Sequence, residues 1–159
     1  MNVPYTFAAA AALILASQTP VLAETVCNDA TIAGTYATHG QGWDGLTFPF
    51  LPESVVAIRT FDGKGKFTGS GHQSIAGIPR SFSITGTYSV AANCTVTIEG
   101  TATTSPPIPG PTPEPDVIVV TGLRHWFGVI VDAGNTIYAT STDRGVTTNT
   151  EFHRIVPID

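Results

Sequence analysis

The stretch from Ser81 to Thr103, SFSITGTYSVAANCTVTIEGTAT, alternates with a period of two. Phe82, Ile84, Gly86, Tyr88 and Val90 share one parity. Cys94, Val96, Ile98, Gly100 and Ala102 share one parity after the turn at Ala91–Asn93, and Ser, Thr and Glu99 hold the other. Successive side chains on a strand point to opposite faces, so the pattern describes two strands with one apolar and one polar face. No segment of the chain sustains the 3.6-residue period of an amphipathic helix.

Similar short runs fill the rest of the chain: Thr31–Thr38, Ser54–Phe61, Lys66–Gln73, Asp116–Thr121, Leu123–Val131, Thr136–Thr142 and Thr150–Val156. Asp62-Gly63 between two of them is a strong hairpin signal, and Asp132–Asn135 reads as another turn. About eight or nine strands joined mostly by hairpins predict an all-β fold, an antiparallel up-and-down barrel of about eight strands, because closure removes the edges that invite aggregation. The Ile-Ala-Gly-Thr-Tyr of residues 32–36 is echoed by Ile-Thr-Gly-Thr-Tyr at 84–88. Both glycines are expected to meet one demand, a sharp bend in a curved strand.

Residues 1–23 read as a cleaved secretory signal: an apolar run, Phe7–Ala16, then Val21 and Ala23 in the small-residue pattern of a cleavage site. Residues 24–159 then form a single barrel domain, and no integral membrane segment is expected after cleavage. Seven basic residues against twelve acidic ones give a net charge of −5, which argues against a nucleic-acid partner. Cys27 and Cys94 are the two cysteines. In an exported chain an even count suggests a disulfide. Ser105–Pro115, SPPIPGPTPEP, holds six prolines and predicts an extended surface loop, a candidate site for a protein partner.

Phe61–Gly71 (FDGKGKFTGSG), Ile84–Ile98 (ITGTYSVAANCTVTI) and Val131–Gly145 (VDAGNTIYATSTDRG) together resemble a group of small secreted bacterial proteins. Such chains look similar to calycin-like barrels: lipocalins, avidins and allene oxide cyclase-type barrels. The resemblance covers roughly Thr31 to Val156 and implies a fold far more than a chemistry. With only Trp43 and Trp126 present, the tryptophan walls of a biotin site are missing, as is the Gly-x-Trp of lipocalins.

Catalytic signatures are sparse. His39, His72, His125 and His153 show no i, i+2 or i, i+4 pair, so no metal site or cofactor is expected, and no Gly-x-Ser-x-Gly elbow occurs. Glu151 and His153 share a strand face and are candidates for an acid–base pair. The aromatic residues are more informative. Tyr36, Tyr88, Trp126 and Tyr138 are expected in the lumen, and Trp43, within a flexible Gly40–Phe50 stretch, at its mouth. There they would contact a small apolar or amphipathic ligand. The expected function is non-catalytic ligand binding by an exported barrel. The alternatives are a cyclase or isomerase of the allene oxide cyclase type, and a surface module acting through the Pro-rich loop.

Overall fold

The computed structural model describes residues 26–44, 50–107 and 121–155. The expected signal segment, most of the Pro-rich loop, Phe48 and the run Asp116–Val120 lie outside the described residues. Eight antiparallel strands form a closed barrel in sequence order: β1 Gly34–Asp44, β2 Leu51–Phe61, β3 Lys66–Ile75, β4 Ile78–Val90, β5 Thr95–Pro107, β6 Thr121–Val131, β7 Thr136–Ser141 and β8 Val146–Arg154. The ring closes by pairing β1 with β8, with Tyr36 opposite Arg154. The all-β, up-and-down architecture expected from the alternation is therefore present, and it is consistent with a calycin-like barrel.

Parity decides which side chains go inside. The strand facing Phe82, Ile84 and Tyr88 continues it with Val96 and Ile98, and all five are buried. The opposing Ser83, Thr85, Thr87, Thr97, Glu99 and Thr101 are exposed. Polar hydroxyls on the outer face keep a chain with few charges hydrated.

Several boundaries differ from the sequence reading. β1 does not begin at Thr31: Asp29–Ile32 is a 3-10 turn, capped by the Asn28 side chain, which accepts from the Ala30 N–H at 3.0 Å. Asn28 and Asp29 side chains compete for backbone donors, which favours a turn over a strand start. β1 then runs on through Gly40–Asp44, which the sequence had suggested was loop, because ladders to both β2 and β8 hold it. The hairpin at Asp62 spans four residues, not two. Asp62 Oδ1 accepts from the N–H groups of Lys64 and Lys66, at 2.7 and 2.9 Å, and Gly63 and Gly65 take positive φ.

The echoed glycines meet two different demands. Gly34 has φ +137°, a conformation that favours glycine. Gly86 has no such φ; it pairs with Gly100 and lets the Phe67 ring lie over the wall, so a Cβ at 86 would fall 2.7 Å from that ring. The two tyrosines of the echo do have equivalent roles, each donating its hydroxyl to a backbone carbonyl.

Candidate functional site

The lumen has two unlike halves. The lower half, at the end carrying the turns 62–65, 91–94 and 132–135, is packed with rings. Phe61 stands edge-on to both Tyr36 and Tyr88, with centroids 5.5 and 5.0 Å apart, and packs against Phe67 and Phe152. Each buried ring contributes about 1.5–3 kcal/mol by leaving water. Tyr36 and Tyr88 do not touch a ligand space. Their hydroxyls point to the barrel end and donate to backbone carbonyls, Tyr36 to Gly134 and Tyr88 to Asp29. Burial raises the pKa of both phenols.

Arg154 latches this end. Its guanidinium donates to the Tyr36 hydroxyl, to Thr31 O at 2.9 Å and to Gly134 O at 3.1 Å. The Cys27–Cys94 disulfide ties the segment carrying the Asp29–Ile32 turn to the β4–β5 connection. Ile32, fully buried, completes the seal from below.

The upper half is built differently. Above the aromatic layer, Arg59 projects inward from β2 and is 3% exposed. Its guanidinium carbon lies 4.8 Å from the Trp126 ring centroid and 5.1 Å from that of Phe152. Such stacking contributes up to about 2 kcal/mol when desolvated, less than the cost of burying a charge. Burial accordingly pulls its pKa down to about 10, still high enough to keep it charged at neutral pH. Neither Nε nor Nη1 has a hydrogen-bond partner. A buried donor left in this state costs about 1–3 kcal/mol, more when charged.

Around Arg59 is a pocket with two kinds of wall. Val55, Phe82, Ile84 and Trp126 are apolar; Glu53, Arg124, Thr148 and Thr150 are polar. Glu53 accepts from the Thr148 hydroxyl at 3.1 Å, and burial, then the nearby Asp44, raises its pKa. Asp44 pairs with Arg124 at 3.4 Å, while Arg124 Nη1 has no partner. The free volume among these groups is about 50 Å³. Sites for drug-sized ligands are larger, roughly 300–1,000 Å³. The lumen is thus mostly filled, with room for a small chemical group and not for a polyene chain.

Comparison with protein-family models, curated proteins and solved structures finds no match to this chain. Fold and site therefore rest on its own residues.

Of the five aromatic residues expected to contact ligand, Trp126 alone lines the pocket. Tyr36 and Tyr88 are inside but belong to the sealed half. Tyr138 is not in the lumen as expected: it is 46% exposed on the outer wall, while Trp43, expected at the mouth, stands next to the end of β1 with its side chain 53% exposed on the outer face. The reason is parity. Tyr36 faces inward, so Trp43, an odd number of residues along the same strand, faces outward; Ile137 and Ala139 face inward, so Tyr138 between them cannot. Trp43 instead stands beside His39 and Gln41, and Tyr138 beside Phe127 and Val129 in an exposed apolar strip. Glu151 and His153 are 3.4 Å apart on the outer face, both more than half exposed, away from the pocket. A third outer-face contact, unforeseen from sequence, joins His125 Nδ1 to Asp143 at 2.6 Å, and this hydrogen bond raises the His125 pKa. Among the described residues no group of three or more His, Cys, Asp or Glu is placed to hold a metal ion.

Sequence reasoning missed Arg59, Glu53 and Arg124. A signal for Arg59 existed: the Asp62 hairpin sets Phe61 opposite Phe67, so Phe61 faces inward, and Arg59 shares its parity.

Proposed function

We propose that this protein is an exported, non-catalytic binding barrel that takes a small amphipathic ligand into the upper half of its lumen. The observation that carries this reading is the pocket around Arg59. Apolar and polar side chains meet there in one partly open space, above a lower half that is already sealed by aromatic packing. A core serving stability alone has no use for a charged group with unpartnered donors, since buried polar groups are normally satisfied. The small free volume favours a compact ligand over the substrate of a cyclase.

Export is supported by the Cys27–Cys94 bridge, which belongs in an oxidising compartment. Among the described residues no helix is long and apolar enough to cross a membrane. Sequencing the N-terminus of protein recovered outside the cytoplasm tests export: a start at Glu24 supports it, and a start at Met1 contradicts it.

A panel of small amphipathic and purely polar compounds, followed by thermal shift, tests binding. Ligands that bind only the folded state raise its stability by RT ln(1 + [L]/Kd). The reading expects concentration-dependent stabilisation by some amphipathic members, lost when Ile84→Trp fills the pocket in a variant that still melts cooperatively. No stabilisation across the panel contradicts it.

A further inference from the structure

We infer that the lumen pocket selects a small organic monocarboxylate and that Arg59 is its counter-ion. This rests on the binding reading above and specifies the charge and size of the ligand.

Arg59 is buried and lines the pocket. Glu53 lines the same pocket, but its carboxylate is held by the Thr148 hydroxyl and the field of Arg124, not by Arg59, and Asp44 pairs with Arg124. The rings of Trp126 and Phe152 pack against the guanidinium, so its N–H donors are left for a partner at its edges. A guanidinium grips a carboxylate through its side edge, which includes Nε, or its end edge, which includes Nη1. Both atoms lack a hydrogen-bond partner but are packed against protein atoms, so a carboxylate would first meet the guanidinium at Nη2, the nitrogen the two edges share, and must part that packing to engage Nε or Nη1. Arg124 Nη1, in the same pocket, offers another unpartnered donor.

The fold also makes room for this arginine. Gly69 faces Arg59 across the β2–β3 ladder, and a Cβ there would fall 2.8 Å from Arg59 Cγ. Charge and volume then select the ligand. One unpaired guanidinium balances one negative charge. The apolar wall formed by Val55, Phe82 and Ile84 suits a short hydrocarbon tail, and a free volume of about 50 Å³ limits its length.

Trp126 reports on the site directly. Trp43→Phe leaves it as the single tryptophan, because the chain has two. Its emission is followed at pH 7 while the protein is titrated with butyrate, with the near-isosteric neutral butyramide, and with nitrate as an inorganic anion. The expected result is a saturable change with butyrate, roughly tenfold or more tighter than with butyramide or nitrate, as befits a charge-assisted hydrogen bond. Arg59→Met should abolish the preference for the acid and Arg59→Lys should keep part of it, each checked for a cooperative melt. The acid-to-amide comparison on the unaltered pocket stands even where a variant fails to fold. Equal binding of acid and amide overturns the carboxylate inference and leaves lumen binding intact. Nitrate equal to butyrate overturns the organic part of the assignment. No response to any of the three overturns the carboxylate inference, whereas the broader binding reading is judged by the thermal-shift panel.

Discussion

Arg59 and Gly69 face each other across the β2–β3 ladder, and the stem of the arginine occupies space that any side chain at 69 would need. A Cβ at 69 would also fall 2.8 Å from the Ile58 carbonyl oxygen, a backbone atom that cannot swing aside. Gly69→Ala is therefore expected to destabilise the barrel by about 1–3 kcal/mol, the usual cost of overpacking. It should also shift the emission of Trp126, because Arg59 must move on that ring. Denaturant unfolding and fluorescence of the same variant check both; an unchanged spectrum would mean that Arg59 is not seated as described.

Tyr36 and Arg154 form the latch at the sealed end. Tyr36→Phe should cost about 1–3 kcal/mol, because its hydroxyl both donates to Gly134 and accepts from Arg154, and Arg154→Met more, because the Thr31 and Gly134 carbonyls also lose a donor. The double variant should lose less than the sum of the single losses, with a coupling of about 0.5–3 kcal/mol, since the residues share one network. Additive losses in denaturant unfolding would show that the latch does not act as a unit.

The disulfide joins cysteines 67 residues apart. Closing a loop of that length in the unfolded chain is worth about 4 kcal/mol in the chain-entropy account. The Cys27→Ser, Cys94→Ser double variant should melt on the order of 10 °C lower than the oxidised protein. A melting temperature unchanged by the substitutions would show that the bridge adds nothing to the barrel's stability.

The His125–Asp143 contact makes a pH-dependent contribution. Its hydrogen bond raises the folded-state pKa of His125 above the ordinary 6.5. The contribution is therefore fully present below the unfolded pKa and is lost as pH rises through the higher, folded value. Asp143→Asn should flatten that part of the stability profile and lower the pKa of His125 seen by NMR titration. A His125 titration unmoved by the substitution would refute the assignment.

The period of two made the barrel legible, because each strand has one wet and one dry face and the turn residues mark the ends. Aromatic content alone suggests Tyr138 for the lumen, but parity puts both Trp43 and Tyr138 on the outer face. Arg59 was harder to see. In Ser54–Phe61 both parities carry apolar residues, Val55 and Ala57 on one, Val56 and Ile58 on the other, so alternation within the strand does not choose the inner face. The hairpin register and the glycine opposite make that choice, and both are relations between strands. The Arg154 network was likewise hidden, since it joins residues 31, 36, 134 and 154, which only barrel closure brings together.

The most direct test of the account is two-dimensional NMR of the isotope-labelled protein with and without butyrate. Resonance changes are predicted to cluster at inward residues of the upper lumen, Val55, Arg59, Phe82, Ile84 and Trp126, with the Arg59 Nε–H signal moving most. Changes confined to the outer wall, around Trp43 or Tyr138, or no changes at all, would contradict a binding site inside the barrel.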